Sequence, residues 1–301
     1  MIDAGANLTH RDFLRDRDVV IEYARDHTPK LEGIIVIGTS FSREQTQIAS
    51  TLCKKYPGFC WRTIGVHPHN AERELTRLHA QNQRSDPGQK LSKMVERTIQ
   101  EVDRTGRDAV VAIGETGLDY ARTFSFHEDQ KLVMKAHLRA ARHLKLPVYL
   151  HERDAFDDFI SVLDVDADEN DGTYVSGVVH CFNGGEKEAA AYISRGLYLS
   201  FSGTICMPSR STATRALVTS GFVPLDRVLV DSDAPYLLPR SANGLVVRPP
   251  RNEPCTLGAI VDTLARLMDV SPEEVALATS DNAKHLFALA RKNEDKSSGL
   301  Q

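Results

Sequence analysis

One repeated alternation constrains this chain more than any other feature. Short apolar, β-branched runs recur near residues 1–7, 33–39, 60–66, 109–115, 147–151, 176–180, 197–203 and 228–233. Most are apolar almost throughout, as parallel strands buried on both faces must be. Between them lie longer stretches with apolar residues at i, i+3 and i+4, such as FLRDRDVVIEYARD (13–26), LSKMVERTIQEVDR (91–104) and HEDQKLVMKAHLRAARHLK (127–145). That spacing builds helices with one buried face. About eight strand–helix repeats in about 250 residues predict an α/β fold, the (β/α)8 TIM barrel. A doubly wound open sheet is the alternative, and the repeat number favours the barrel. One domain is expected over 1–290. HAQNQRSDPGQK (79–90) reads as a surface excursion and 240–254 as a long loop rich in Pro and Arg. Helices are expected near 256–269 and 272–290, and the polar tail 291–301 is expected to be disordered.

Composition narrows the function classes. The chain has 301 residues, 41% hydrophobic and 26% charged, with a net charge of -4. No global basic field advertises nucleic acid, so such a partner must be held locally. No apolar run reaches the roughly 18 residues of a membrane span, and the N-terminus lacks the pattern of a signal peptide. The five cysteines are odd in number and contain no CxxC. They read as free thiols in a reducing compartment, hence a cytoplasmic protein, with a nuclear place or unconventional export left open. Nothing in the sequence indicates a protein partner, and a monomer is expected.

The strand ends carry the chemistry. The first run ends in Asn7, the third leads into His67 and His69, the fourth ends at Glu115, the fifth at His151, the sixth at His180 and the eighth at Asp233. In a barrel these ends share one rim, where sites are built. A buried, unpaired carboxylate is costly. Glu115, at the end of an apolar run and between two glycines, is explained if divalent cations neutralise it, and its two oxygens can bridge a pair. His151 and His180 would complete one metal site and Asp233 would hold the other. Paired metals about 3.5–4 Å apart activate water and clamp both oxygens of a phosphoester. His127, His137 and His143 stand in helical contexts and are expected to be solvated.

In order along the chain, DAGANLT, GVHPH, AIGETGLDY, HERDAF, VVHCFNGG, DSDAPYLLPR and PRNEP resemble the TatD family of metal-dependent deoxyribonucleases, which belongs to the amidohydrolase-type barrels. The match runs from residue 2 to about 290. The resemblance implies a (β/α)8 barrel, Mg²⁺-dependent DNA hydrolysis and 3′→5′ exonuclease activity. It carries metal-ligand status onto Glu115, His151, His180 and Asp233. Two features depart from many relatives. Their His-x-His pair at the first strand end is Gly5 and Asn7 here, as in the branch reading DIGxNLT, so one site should be oxygen-rich. That suits Mg²⁺ or Mn²⁺ over Zn²⁺, which could still substitute. Relatives also have Glu-Thr-Asp where this chain has Asp231, Ser232 and Asp233; the register of DAPYLLP keeps the ligand at Asp233.

Other residues support this set. Glu115, Asp233 and His67 are the expected catalytic residues. His67 either contacts the scissile phosphate or leaving group, or orders its loop. Arg153, Arg240, Arg248 and Arg251 are candidates to grip the DNA backbone. Asn7 and His69 are expected to buttress the site, and Asn252 to fix its loop by hydrogen bonds. A rival is an amidohydrolase acting on a small ester, amide or lactone. Such relatives often bridge metals with a carboxylated lysine at the fourth strand, where this chain has Glu115. A second rival is a degenerate barrel serving as a scaffold, which the nearly complete ligand set disfavours.

Overall fold

The computed structural model describes residues 1–27, 30–79, 86–240 and 251–289. Eight parallel strands pair in the order of the sequence: β1 (Ile2–Ala6), β2 (Gly33–Val36), β3 (Cys60–Ile64), β4 (Val110–Asp119), β5 (Val148–Arg153), β6 (Gly177–Val179), β7 (Tyr198–Phe201) and β8 (Val228–Val230). An order without reversal is that of a barrel, since a doubly wound sheet changes direction at a switch point. The ring closes between β8 and β1 through the segment after β8. The Asp233 amide donates to the Gly5 carbonyl at 2.9 Å and the Asn7 amide to Ala234 at 2.8 Å. The buried Asp3 carboxylate accepts the Ser232 amide at 2.9 Å and its hydroxyl at 2.6 Å.

Helices cover the outside: α1 (Arg17–Asp26), α2 (Arg43–Lys55), α3 (Ala71–His79), α4 (Pro87–Thr105), α5 (His127–Leu144), α6 (Phe156–Asp168), α7 (Glu186–Ser194), α8 (Thr212–Thr219), α9 (Leu257–Met268) and α10 (Pro272–Leu286). Side chains of Ser42, Asp86 and Ser271 accept amides of the first turns of α2, α4 and α10, satisfying donors a helix start leaves unpaired. Two apolar layers result. Outward-facing strand residues such as Ile34, Ile113 and Leu150 pack on the helices. Ile2, Ile35, Val111, Tyr149, Val178 and Leu229 fill the barrel, and Leu286, Phe287 and Leu289 at the end of α10 join them.

Three local expectations are corrected. The helix expected from residue 91 begins at Pro87, because Asp86 caps it and proline suits a first helical turn. The strand expected to stop at Glu115 continues to Asp119. Its glycines are therefore not a turn: a Cβ on Gly114 would meet the Tyr149 carbonyl at 2.2 Å, and one on Gly117 the His151 carbonyl at 1.9 Å. Both also hold positive φ angles, 144° and 140°, which glycine adopts without strain. His137 is fully buried in α5 rather than solvated. Arg248 and the tail 291–301 lie outside the described residues.

Candidate active site

The chemistry gathers at the rim where the strands end. Glu115 comes from within β4, His151 from β5, His180 directly follows β6 and His67 follows β3. They converge on one atom. Glu115 Oε1 lies 2.8 Å from His180 Nε2, 3.0 Å from His151 Nδ1 and 3.4 Å from His67 Nε2. His151 Nδ1 and His180 Nε2 are themselves 3.4 Å apart. Donor atoms bound at about 2.1 Å to one divalent ion lie about 3 Å from one another, so this spacing fits a cation's ligand set. The buried His180 Nδ1 has no protein partner. A second group of donors, His180, Cys181 and Asp233, lies within 4.8 Å of one another. Asp233 rather than Asp231 is free to serve there. Asp231 accepts the Ser200 hydroxyl and, at 3.3 and 3.4 Å, the amide and thiol of Cys181.

The charges follow from burial and neighbours. Burial alone would raise the Glu115 pKa, but His67 and His180 outweigh it and hold the carboxyl well below the usual range. Burial lowers the His67 pKa to about 3. His67 Nδ1 accepts the backbone N–H of His69 at 3.1 Å, which places its proton on Nε2, facing Glu115. His151 moves the other way, to about 9, because Asp119 and Glu115 overcome its burial. Asp233 is pushed up to about 7, chiefly by burial.

A cleft of about 1650 Å³ opens over this cluster. Of the expected backbone-gripping residues, Arg153 lines it, exposed and without an ion pair among the described residues. Arg240 is exposed after β8 and does not line it. Arg251 is a correction. Its guanidinium donates to both carboxylate oxygens of Asp16 at 2.8 Å and to the Asp12 carbonyl at 2.6 Å, and it covers the Phe13 ring at 4.3 Å. It clasps the segment after β8 to the start of α1, with both terminal nitrogens engaged and its Nε buried away from the cleft. Asn252 is buried and donates to the Ser232 carbonyl at 2.6 Å, next to Asp233. Asn7 lines the cleft and accepts the Thr9 hydroxyl at 2.9 Å.

Other cleft residues were not singled out from the sequence. Asp119 Oδ2 lies 2.7 Å from His69 Nε2 and 3.3 Å from His151 Nε2, so it orients both rings. Gln130 of α5 fixes its backbone from both sides. The signal for Asp119 was present: four residues past Glu115 in an extended strand is the same face. Arg122 and Arg210 also line the cleft, exposed and unpaired among the described residues.

The family model for TatD-related DNases matches residues 2–288. The chain belongs to the TatD family. As a TatD protein it is a nuclease, a metal-dependent hydrolase of phosphodiester bonds. Among its relatives, a protein of Erwinia billingiae named 3′-5′ ssDNA/RNA exonuclease TatD is 38% identical over 96% of this chain and 99% of its own. One of Citrobacter rodentium with the same name is 36% identical over 97% and 100%. A TatD-family hydrolase from Entamoeba histolytica shares the fold of this TatD chain with a TM-score of 0.76 at 22% identity, covering 96% of this chain and 98% of that one. The Escherichia coli phosphotriesterase homology protein, solved with phosphate in its active site, gives 0.61 at 16%, covering 95% and 98%. Among the described residues no helix is long and apolar enough to cross a membrane.

Proposed function

We propose that this TatD protein removes nucleotides from the 3′ end of DNA, and of RNA as its relatives' names say of them, using two divalent cations, Mg²⁺ or Mn²⁺ by preference. The observation that carries the reading is the convergence of two imidazole nitrogens on one oxygen of a buried glutamate. His151, His180 and Glu115 would hold one cation, and Glu115 and Asp233 a second. When bound, the cations supply charge to offset the phosphoryl oxygens and make a nucleophile available at neutral pH.

The chain's own residues do the rest. His67 presents a neutral Nε2–H for a phosphoryl or leaving oxygen. Asp119 holds His69 and His151 in fixed orientations. Asp233, whose pKa burial raises to about 7, would take a proton from the attacking water. Arg153 and Arg240 would position the phosphate backbone. A cytoplasmic place fits five cysteines without a CxxC pair. Oligonucleotides labelled at either end, with Mg²⁺ or with chelator, provide the test. Stepwise shortening from the 3′ end only, abolished by chelator, is expected. Shortening from the 5′ end or internal cuts would refute the polarity, and turnover in chelator would refute the metal requirement.

A further inference from the structure

Eight large apolar side chains stand exposed among the described residues, and only two of them, Phe124 and Tyr236, line the cleft. Phe124 is 62% exposed on the segment between β4 and α5, and Tyr236 is 49% exposed after β8. In a ring of eight strands paired in order, β4 and β8 stand opposite one another. The segments that carry the two rings therefore leave the barrel on opposite sides, and both rings line the cleft over Glu115, His151, His180 and Asp233. Each is steadied on one side by an imidazole at a steep angle. Phe124 meets His69 with centroids 4.8 Å apart, and Tyr236 meets His10 at 5.5 Å. Much of each ring remains open to solvent.

Among the carboxylates of the cleft lining stand cations that can meet phosphates. Arg122 precedes Phe124 by two residues, and Arg153 and Arg210 line the same cleft; all three are unpaired among the described residues. Aromatic faces beside free guanidinium groups are what a single strand needs, bases on the rings and phosphates on the cations. A duplex keeps its bases paired and stacked inside, where they cannot reach two separate rings.

We propose that Phe124 and Tyr236 are stacking posts for the two nucleobases that flank the scissile phosphate of a single strand. The proposal rests on the exonuclease reading above and adds how the end is gripped. A strand laid across the mouth places one base on each wall and the phosphodiester over the carboxylate–imidazole cluster. Recognition by stacking is tolerant of base identity, since every base offers a π face.

The test compares a single-stranded oligonucleotide with one whose two 3′-terminal residues are abasic, in Mg²⁺. Phe124→Ala and Tyr236→Ala should each raise KM on the intact strand about tenfold with little change in kcat. Neither should alter KM on the abasic strand. Phe124→Trp and Tyr236→Phe should restore the wild-type value. Equal KM for both substrates in the wild type, or equal losses on both in the variants, would overturn the proposal. Absence of hydrolysis by the wild type on either strand would refute the exonuclease reading instead. Fluorescence anisotropy with the same labelled strands then decides the posts. Weaker binding of the abasic strand supports them, and equal Kd values overturn them.

Discussion

At the scale of single residues, Glu115 concentrates the site because, among the described residues, it is the one carboxylate that three imidazoles approach within 3.4 Å. Glu115→Ala should lower kcat/KM by about 10³-fold or more while circular dichroism shows an intact barrel. Turnover near wild type would exclude a metal mechanism centred on this residue. A different residue pair explains a departure in the first strand. A Cβ on Gly5 would lie 2.0 Å from the Tyr149 hydroxyl, which is fully buried and has no hydrogen-bond partner. Histidine at residue 5 therefore has no room while Tyr149 keeps its place. Gly5→Ala should destabilise by about 1–3 kcal/mol, and Tyr149→Phe in the same chain should recover most of it. Tyr149→Phe alone should be neutral or stabilising, since it removes an unpaired buried hydroxyl. Chemical denaturation of the four proteins measures this, and strict additivity would show that the two residues do not compete for space.

At the scale of elements, α5 both braces the site and stores a pH dependence. Gln130 ties it to the end of β4, and His137 lies fully buried two turns further along the same face, its Nδ1 2.7 Å from the Val133 carbonyl. Burial lowers the His137 pKa to about 4. The unfolded chain protonates this histidine near its ordinary value of about 6.5, before the folded one does. Its contribution is complete above that value and is lost as pH falls toward about 4, amounting to about 3 kcal/mol. In urea melts the stability of wild type relative to His137→Leu should fall by about 3 kcal/mol as pH drops through this window; parallel curves would mean that the imidazole is not kept neutral by the fold. The Arg251 clasp is the other element-level device. Arg251→Ala should lower Tm by about 2–4 °C with KM for DNA nearly unchanged. The reverse outcome, a raised KM and unchanged Tm, would return Arg251 to the substrate.

At the scale of the whole molecule, six barrel strands and the segments after them must be correctly placed before the full donor set is assembled. The site is thus a property of the closed ring, and cation binding should report on that ring. A ligand that binds only the folded state stabilises it by about 2.7 kcal/mol at a hundredfold excess over Kd. Mn²⁺ should therefore raise Tm by about 5 °C, and chelator should remove the gain. The gain should vanish in Glu115→Ala. An equal rise in that variant would place the bound ions elsewhere.

The alternation of buried strands with amphipathic helices determined the barrel by itself, because periodicity states which faces must be covered. Glu115, His151, His180 and Asp233 were legible for the same reason: each is the polar group that closes an apolar run, and in a barrel those groups point to one rim. Other features are not written in any local pattern. Arg251 looks the same in sequence as a free arginine, and only its approach to Asp16, distant in the chain, shows that it is taken. His137 has helical neighbours like those of solvated histidines, and its burial depends on how α5 packs. Whether Gly117 makes a turn or permits close strand contact depends on the His151 carbonyl across β5. Phe124 and Tyr236 are ordinary loop aromatics until the ring sets β4 opposite β8. Sequence order specifies what each segment can do alone, whereas contacts between distant segments exist only once the chain has closed.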